Sequence, residues 1–416
     1  MNIFKAAYCR TYQLGFRVAM PFLPYREPEP LDSVRDIPKK LKELGVTSAL
    51  VVTDKSLRGL GMAVPIEEEM QKQGLACHVY DETVANPTVS NVEEALRMYH
   101  SGGCGALIGL GGGAAMDCAK AAGARVARPD WSVQRLGGNL KLRRRIPPLF
   151  AVPTTAGTGS EATVAAVIVD DKTRHKFIIN DFNLIPSYAV LDPKLTEGLP
   201  PFFTATTGVD ALTHAVEAYI GQSTTKQTRA WSVEAVRLIF GNLERAYRDG
   251  HDMEARGNML RASYLAGLSF TRSYVGYCHA VAHSLGGKYN IPHGLANAVL
   301  LPITLRAYGA SVYGKLKELA AATGMADADT PAAVAAEIFI RAVEELERKL
   351  SIPSKFPEIR VEDIPEMARY ADKEGNPLYP VPRLMDESAL RLFYVTAAED
   401  LHKKESHRAE EVRKHA

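Results

Sequence analysis

Four short apolar runs, Ser48–Thr53, Leu75–Tyr80, Ala106–Leu110 and Leu149–Val152, are separated by segments of helical periodicity. Each run is bounded by Gly, Pro or Asp and reads as a buried strand. Between them, Val64–Gln73 and Asn91–Ser101 carry apolar residues at helical spacing, and Val92, Ala95, Leu96 and Tyr99 share one face. Parallel neighbours need a crossover long enough to hold a helix, so this alternation predicts a parallel sheet wrapped by helices. Further strand-like runs follow at Val164–Val169, Phe177–Ile179 and Tyr188–Leu191. After Asp192-Pro193 they nearly vanish. Helical patterns take over at Arg229–Ala246, Met253–Phe270, Ala332–Leu350 and Glu387–His402, and Gly198 and Pro200-Pro201 break local structure at the change. The expectation is an α/β domain with a Rossmann-like parallel sheet over residues 1–197 and an all-α domain over residues 198–416. The charged stretch from Lys403 to Ala416 is expected to fray into solvent.

A chain of 416 residues is too long for one small core, which agrees with two domains. Its 50 basic and 48 acidic residues leave a formal charge of +2, no footprint for nucleic acid or an anionic membrane. The sharpest basic cluster, Lys141, Arg143, Arg144 and Arg145, lies between Gly137-Gly138 and Pro147-Pro148 and reads as a solvated loop. No apolar run is long enough to span a bilayer, and the first residues lack the apolar core of a secretory signal. Five cysteines, an odd number with no CxxC pair, suit the reduced thiols of a cytoplasmic protein.

The chemistry starts where the run ALIGL meets Gly111, Gly112 and Gly113 and then a helical pattern over Ala115–Arg125. Glycines let a backbone approach a pyrophosphate closely, and a helix N-terminus offers N–H donors and a positive dipole end. Gly109 to Ala114 formally fits the GxGxxG/A fingerprint, with Asp130 about twenty residues on. That fingerprint belongs to the first strand–helix turn of its domain, and at least two strand–helix units precede this one, so the simple reading is rejected. A second polar turn, Pro153–Glu161, follows the run LFAV and brings hydroxyls and glycines to the same kind of position. Two such loops at the C-terminal ends of parallel strands favour a phosphate-bearing ligand over plain capped turns. Asp54, ending its strand, is either a helix N-cap or a carboxylate that takes ribose hydroxyls and repels a 2′-phosphate, which favours NAD over NADP.

The second half holds Asp210 and His214 four residues apart, His279 and His283 with the same spacing, and His293 between Pro292 and Gly294. On a helix each pair lies on one face, one turn apart. A lone pair of this kind is usually a surface contact. Two of them in Ala/Val/Leu-rich helices, with a third histidine segment, are costly to bury unless a divalent cation organises them. One carboxylate and three neutral imidazoles suit Fe²⁺ or Zn²⁺, since the set lacks both the thiolates of a structural zinc site and the oxygen shell of Ca²⁺ or Mg²⁺.

With GGGAAMDCAK (Gly111–Lys120), PTTAGTGSEAT (Pro153–Thr163), GVDALTHAVEAY (Gly208–Tyr219) and HAVAHSLGGKYNIPHGLAN (His279–Asn297), the chain resembles the iron-containing (group III) alcohol dehydrogenase family from roughly residue 30 to 400. No one of these motifs would suffice; together they are specific. The resemblance implies a dehydroquinate synthase-like architecture, with the active site in a cleft between the two domains. It implies metal ligation by Asp210, His214, His279 and His293, iron being favoured and zinc admissible, with His283 beside substrate and nicotinamide as a proton relay or a packing residue. Cofactor contacts implied are Asp54, Asn86, Gly112, Gly113, Ala114, Asp117, Thr154, Thr155, Thr158, Thr163 and Lys176. The chain departs from the family pattern at Ala114, commonly Ser, and in the stretch up to about Glu29.

The function so implied is hydride transfer between NAD(H) and a small primary alcohol, diol or aldehyde, with the metal as Lewis acid on the substrate oxygen, in a homodimer. Two other readings share the residues. A metal- and NAD-dependent lyase or cyclase resembling dehydroquinate synthase would need a set of basic residues facing a polyanionic substrate, and no such set lies near the histidines in sequence. A non-catalytic NAD-binding protein is disfavoured by the intact Asp/His set.

Overall fold

The computed structural model describes residues 1–399. By its contacts the chain divides into two compact units. One comprises Pro24–Thr204 and Arg245–Thr271; the other comprises Met1–Leu23, Ala205–Glu244 and the chain from Arg272 onward.

The first unit is built on strands β1 (Glu29–Leu31), β2 (Ser48–Val52), β3 (Ala76–Tyr80), β4 (Ala106–Gly111), β5 (Gly138–Asn139), β6 (Leu149–Pro153), β7 (Ala165–Val169), β8 (Lys176–Asn180) and β9 (Tyr188–Val190). Six of them form one sheet in the order β1-β9-β6-β4-β2-β3, and every pairing in it is parallel. The apolar runs are continuous because both faces are covered. Leu50 and Val52 enter one core while Ala49 and Val51 enter the other, as the two-residue period of a strand requires. The predicted face of the helix Val89–Ser101 is the buried one: Val92, Ala95, Leu96 and Tyr99 all point inward. β7 and β8 pair antiparallel and, with β5, make a separate three-stranded sheet. β1 escaped the sequence reading because it is three residues long and contains Pro30, which only an edge position tolerates.

Past β9, no strand is found among the described residues apart from the isolated bridge Phe356–Ala398. The helices that matter for the site are α1 (Ile3–Ala19), α2 (Gly113–Ala127), α3 (Pro201–Ile220), α4 (Tyr277–Tyr289), α5 (His293–Tyr308) and α6 (Ile364–Gly375). The helix expected over 387–402 closes at Ala397, where Ala398 turns extended to pair with Phe356. The remainder of that expectation, with the fraying tail from Lys403 to Ala416, lies outside the described residues. α1 was not foreseen: of its apolar residues only Cys9 is buried, so its periodicity does not mark a core-facing stripe. No described helix is long and apolar enough to cross a membrane.

Candidate functional site

The two glycine-bearing loops meet at the C-terminal ends of β4 and β6. Gly111 has a φ of +151°, and a Cβ there would stand 2.8 Å from the Cβ of Ala115, so only glycine makes this turn. Gly112 caps α2 without a side-chain hydrogen bond, leaving the first backbone donors of the helix to a ligand. The Thr154 amide donates to the Gly111 carbonyl at 3.1 Å, tying the second loop to the first. A Cβ on Gly113 would lie 3.3 Å from Thr158 Cγ2, so the loops are in close contact.

Of the expected cofactor contacts, Gly112, Gly113, Ala114, Thr155 and Thr158 are half-buried along this junction, and Thr154 and Thr163 are buried. Asp117 turns into the protein. Its two carboxylate oxygens accept from Ser160 Oγ and from the Val167 amide, each at 2.9 Å. Asp54 is an N-cap, its Oδ1 accepting from the Leu57 amide at 3.0 Å. Asn86 is exposed between β3 and the next helix, and Lys176 is exposed at the start of β8.

The metal candidates gather in the other unit. Asp210 and His214 come from α3, His279 from α4, and His293 from the first turn of α5. One ligand atom from each of the four lies within 4.8 Å of every other. The rings of His214 and His279 are 4.5 Å apart, and those of His279 and His293 are 5.4 Å apart. Gly294 permits the approach of α5, since a Cβ there would stand 2.5 Å from the Thr206 carbonyl oxygen on α3. Burial holds His279 well below the usual histidine range, helped by the neighbouring histidines, and desolvation brings His293 down to about 4 against the pull of Asp210. The rings therefore stay neutral and keep their lone pairs at neutral pH. His279 Nε2 is buried without a hydrogen-bond partner, a costly state that a cation bound by this donor set relieves. The residues present fit a divalent ion.

Three groups around the cluster went unread in the sequence. Glu217, one more turn along α3, places its Oε2 2.6 Å from His279 Nδ1. Asn297 donates from Nδ2 to Asp210 Oδ1 at 2.7 Å and reaches His293 Nε2 at 3.0 Å. Glu374 on α6 stands 2.6 Å from His283 Nδ1 and accepts from the Tyr379 hydroxyl at 2.7 Å, while the His283 ring stacks on His293 with centroids 5.1 Å apart. The spacing of Asp210, His214 and Glu217 was the available signal for the first: all three fall on one helical face.

The profile described as iron-containing alcohol dehydrogenase matches residues 31–193, and that of the iron-containing alcohol dehydrogenase family's C-terminal region matches residues 204–394. The 1,3-propanediol dehydrogenase of Citrobacter freundii is 38% identical over 349 residues, covering 83% of this chain and 90% of that protein. The chain belongs to the iron-containing alcohol dehydrogenase family. Among solved structures of similar proteins, a 1,3-propanediol oxidoreductase superposes with a TM-score of 0.86 at 35% identity, over 90% of this chain and 99% of the other. A sulfoacetaldehyde reductase from Bifidobacterium kashiwanohense, solved in complex with NAD⁺, gives 0.81 at 27% identity over 90% and 98%. The iron-containing alcohol dehydrogenase expected from the four motifs is therefore the family found, and its parallel α/β sheet and helical second half are as anticipated.

One further residue of this iron-containing alcohol dehydrogenase had been passed over. Lys120, fully buried on α2, donates from Nζ to the carbonyls of Ser160, Thr163 and Ala165 and to the hydroxyls of Ser160 and Thr163, at 2.7 to 3.2 Å. Burial lowers it to about 8, with Asp117 and Glu161 opposing. It was legible only as part of the GGGAAMDCAK motif.

Proposed function

We propose that this iron-containing alcohol dehydrogenase transfers a hydride between NAD(H) and a small primary alcohol, diol or aldehyde, with Asp210, His214, His279 and His293 holding a divalent metal, Fe²⁺ before Zn²⁺. The observation that carries the reading is the convergence of one ligand atom from each of these four residues within 4.8 Å of one another, with His279 Nε2 buried and lacking a hydrogen bond. A cation in that cluster would supply Lewis acidity toward the substrate oxygen, and NAD the hydride acceptor. The half up to about residue 197 serves the dinucleotide, and the half after it serves the metal. The α2 N-terminus and the Pro153–Glu161 turn present backbone donors and hydroxyls for the diphosphate. Asn86, Ala114, Asp117, Thr163 and Lys176 complete the proposed cofactor contacts, Asp117 through the loop it braces, while Asp54 selects the unphosphorylated ribose.

His283 is the proposed proton carrier. Its Nδ1 stands 2.6 Å from Glu374, a carboxylate that orients the ring and steadies it when it carries a proton. The propanediol and aldehyde relatives support a short, oxygen-bearing substrate. We also propose that two copies pair. The five thiols are all free, which fits a reducing compartment such as the cytoplasm.

The test is absorbance at 340 nm with metal-loaded protein. We expect NADH from NAD⁺ and at least one C2–C4 alcohol or diol, and NADH oxidation with the matching aldehyde. Silence with every member of such a panel removes the assignment.

A further inference from the structure

The N-terminus of α4 carries a metal candidate at its third position, yet its own N-cap, Gly276, has no side chain to satisfy the first amides. A carboxylate from another helix does so. Glu217, on α3 and buried, accepts the Gly276 amide on Oε2 and the Cys278 amide on Oε1, both at 2.9 Å. The same Oε2 stands 2.6 Å from His279 Nδ1. The approach requires glycine at 276, where a Cβ would lie 2.6 Å from Glu217 Oε1. A carboxylate offers only acceptors, and two of its partners are backbone amides that can only donate. The consistent assignment puts a proton on His279 Nδ1 as the third donor. His279 Nε2 is then left with its lone pair, buried and without any hydrogen bond, beside Asp210, His214 and His293.

We propose that Glu217 is a positioning residue for the metal centre: it fixes His279 in the tautomer protonated on Nδ1 and clamps the ring so that Nε2 is committed to the cation. This rests on the reading of the four-residue cluster as a metal site. One side chain thereby does two things. It replaces the missing cap of α4, where a negative group also meets the positive end of the helix, and it orients a ligand carried by that same first turn. Outer carboxylates of this kind fix the orientation of ligating histidines and raise their basicity. The coupling explains how a carboxylate can be buried here: it meets three donors. It also explains how His279 can be buried with one nitrogen bare.

Glu217→Gln tests it. An amide keeps the size but turns one oxygen into an N–H donor, which must face either a backbone amide or His279 Nδ1. With the N–H group at the Oε2 position His279 is driven to carry its proton on Nε2; at the Oε1 position it opposes the Cys278 amide and loosens the clamp, and in both the negative charge facing Nδ1 is gone. Zn²⁺ and Co²⁺ affinities are measured by chelator competition on wild type and variant, with circular dichroism confirming that both are folded. We expect the variant to bind about 10- to 100-fold more weakly, with an altered visible spectrum for Co²⁺. Binding within twofold of wild type by a folded variant overturns the proposal. Failure of wild type to bind about one equivalent overturns the metal reading itself, which keeps the two failures apart. Should the variant not fold, ring ¹⁵N shifts of His279 in metal-free wild type decide. A proton on Nδ1 upholds the role, and a proton on Nε2 ends it.

Discussion

Single side chains in this protein are asked to serve two masters, and Asp54 shows the tension most clearly. Its Oδ1 caps the short helix Lys55–Gly59 through the Leu57 amide, while the second oxygen is the group assigned to the ribose. Replacement by glycine separates the roles, because a glycine at an N-cap costs only a few tenths of a kcal/mol. A carboxylate facing a 2′-phosphate at close range near the surface is worth on the order of 1–4 kcal/mol of repulsion. Asp54→Gly should therefore raise the ratio of kcat/KM for NADP over NAD by about tenfold or more, with little change in melting temperature. An unchanged ratio removes Asp54 as the selector.

At the scale of elements, the pairing of α2 with the Pro153–Glu161 turn and the residues just after it depends on Lys120. The backbone carbonyls of Thr163 and Ala165 converge on its ammonium together with that of Ser160, which the Thr163 amide also reaches at 3.3 Å. Methionine has a similar length and no donor, so Lys120→Met takes this donor from the Thr163 and Ala165 carbonyls, at about 1–3 kcal/mol for each group that fails to find water. We expect a loss of stability on the order of 3 kcal/mol, read from the urea midpoint. KM for NAD should rise by several-fold, because the loop proposed to hold the diphosphate loses its brace, whereas metal stoichiometry should stay unchanged. A loop needing no such brace would show wild-type KM and an unmoved midpoint.

For the whole molecule the open surface of interest is α1. Its inner side is anchored: Lys5 pairs with Asp372, Arg10 donates to the carbonyls of Val381 and Pro382, and Gln13 to that of Tyr379. Its outer side shows Ile3, Phe4, Tyr8, Tyr12, Leu14 and Val18 at 45% to 81% exposure, and none of them is charged. A large aromatic buries about 150–250 Å², so this face approaches the roughly 800 Å² that one partner of a standard interface covers. Being uncharged, it can meet a copy of itself without like-charge repulsion, as a two-fold interface requires. We expect light scattering on a sizing column to give twice the chain mass, and the double variant Phe4→Glu, Val18→Glu to shift it toward one. A wild-type monomer, or a dimer indifferent to those charges, excludes α1 as the contact.

What the amino-acid order determined alone was whatever depends on short-range periodicity and chemical type. The buried strands Ser48–Val52 and Ala106–Gly111, the inward face of Val92, Ala95, Leu96 and Tyr99, and the glycines that leave α2 uncapped all follow from spacing and backbone sterics. The proposed ligand set was legible for the same reason: Asp210 with His214, and His279 with the segment leading to His293, announce themselves as costly groups in apolar surroundings. Tertiary structure decided what those groups lean on. Glu217 beside His279, Asn297 beside Asp210, Glu374 beside His283 and Lys120 beneath the Ser160 turn are contacts across 40 to 91 positions of chain. Hydrogen bonds between residues so far apart leave no period in the sequence, because helix and strand repeats record only which face is buried, and never what waits on the other side.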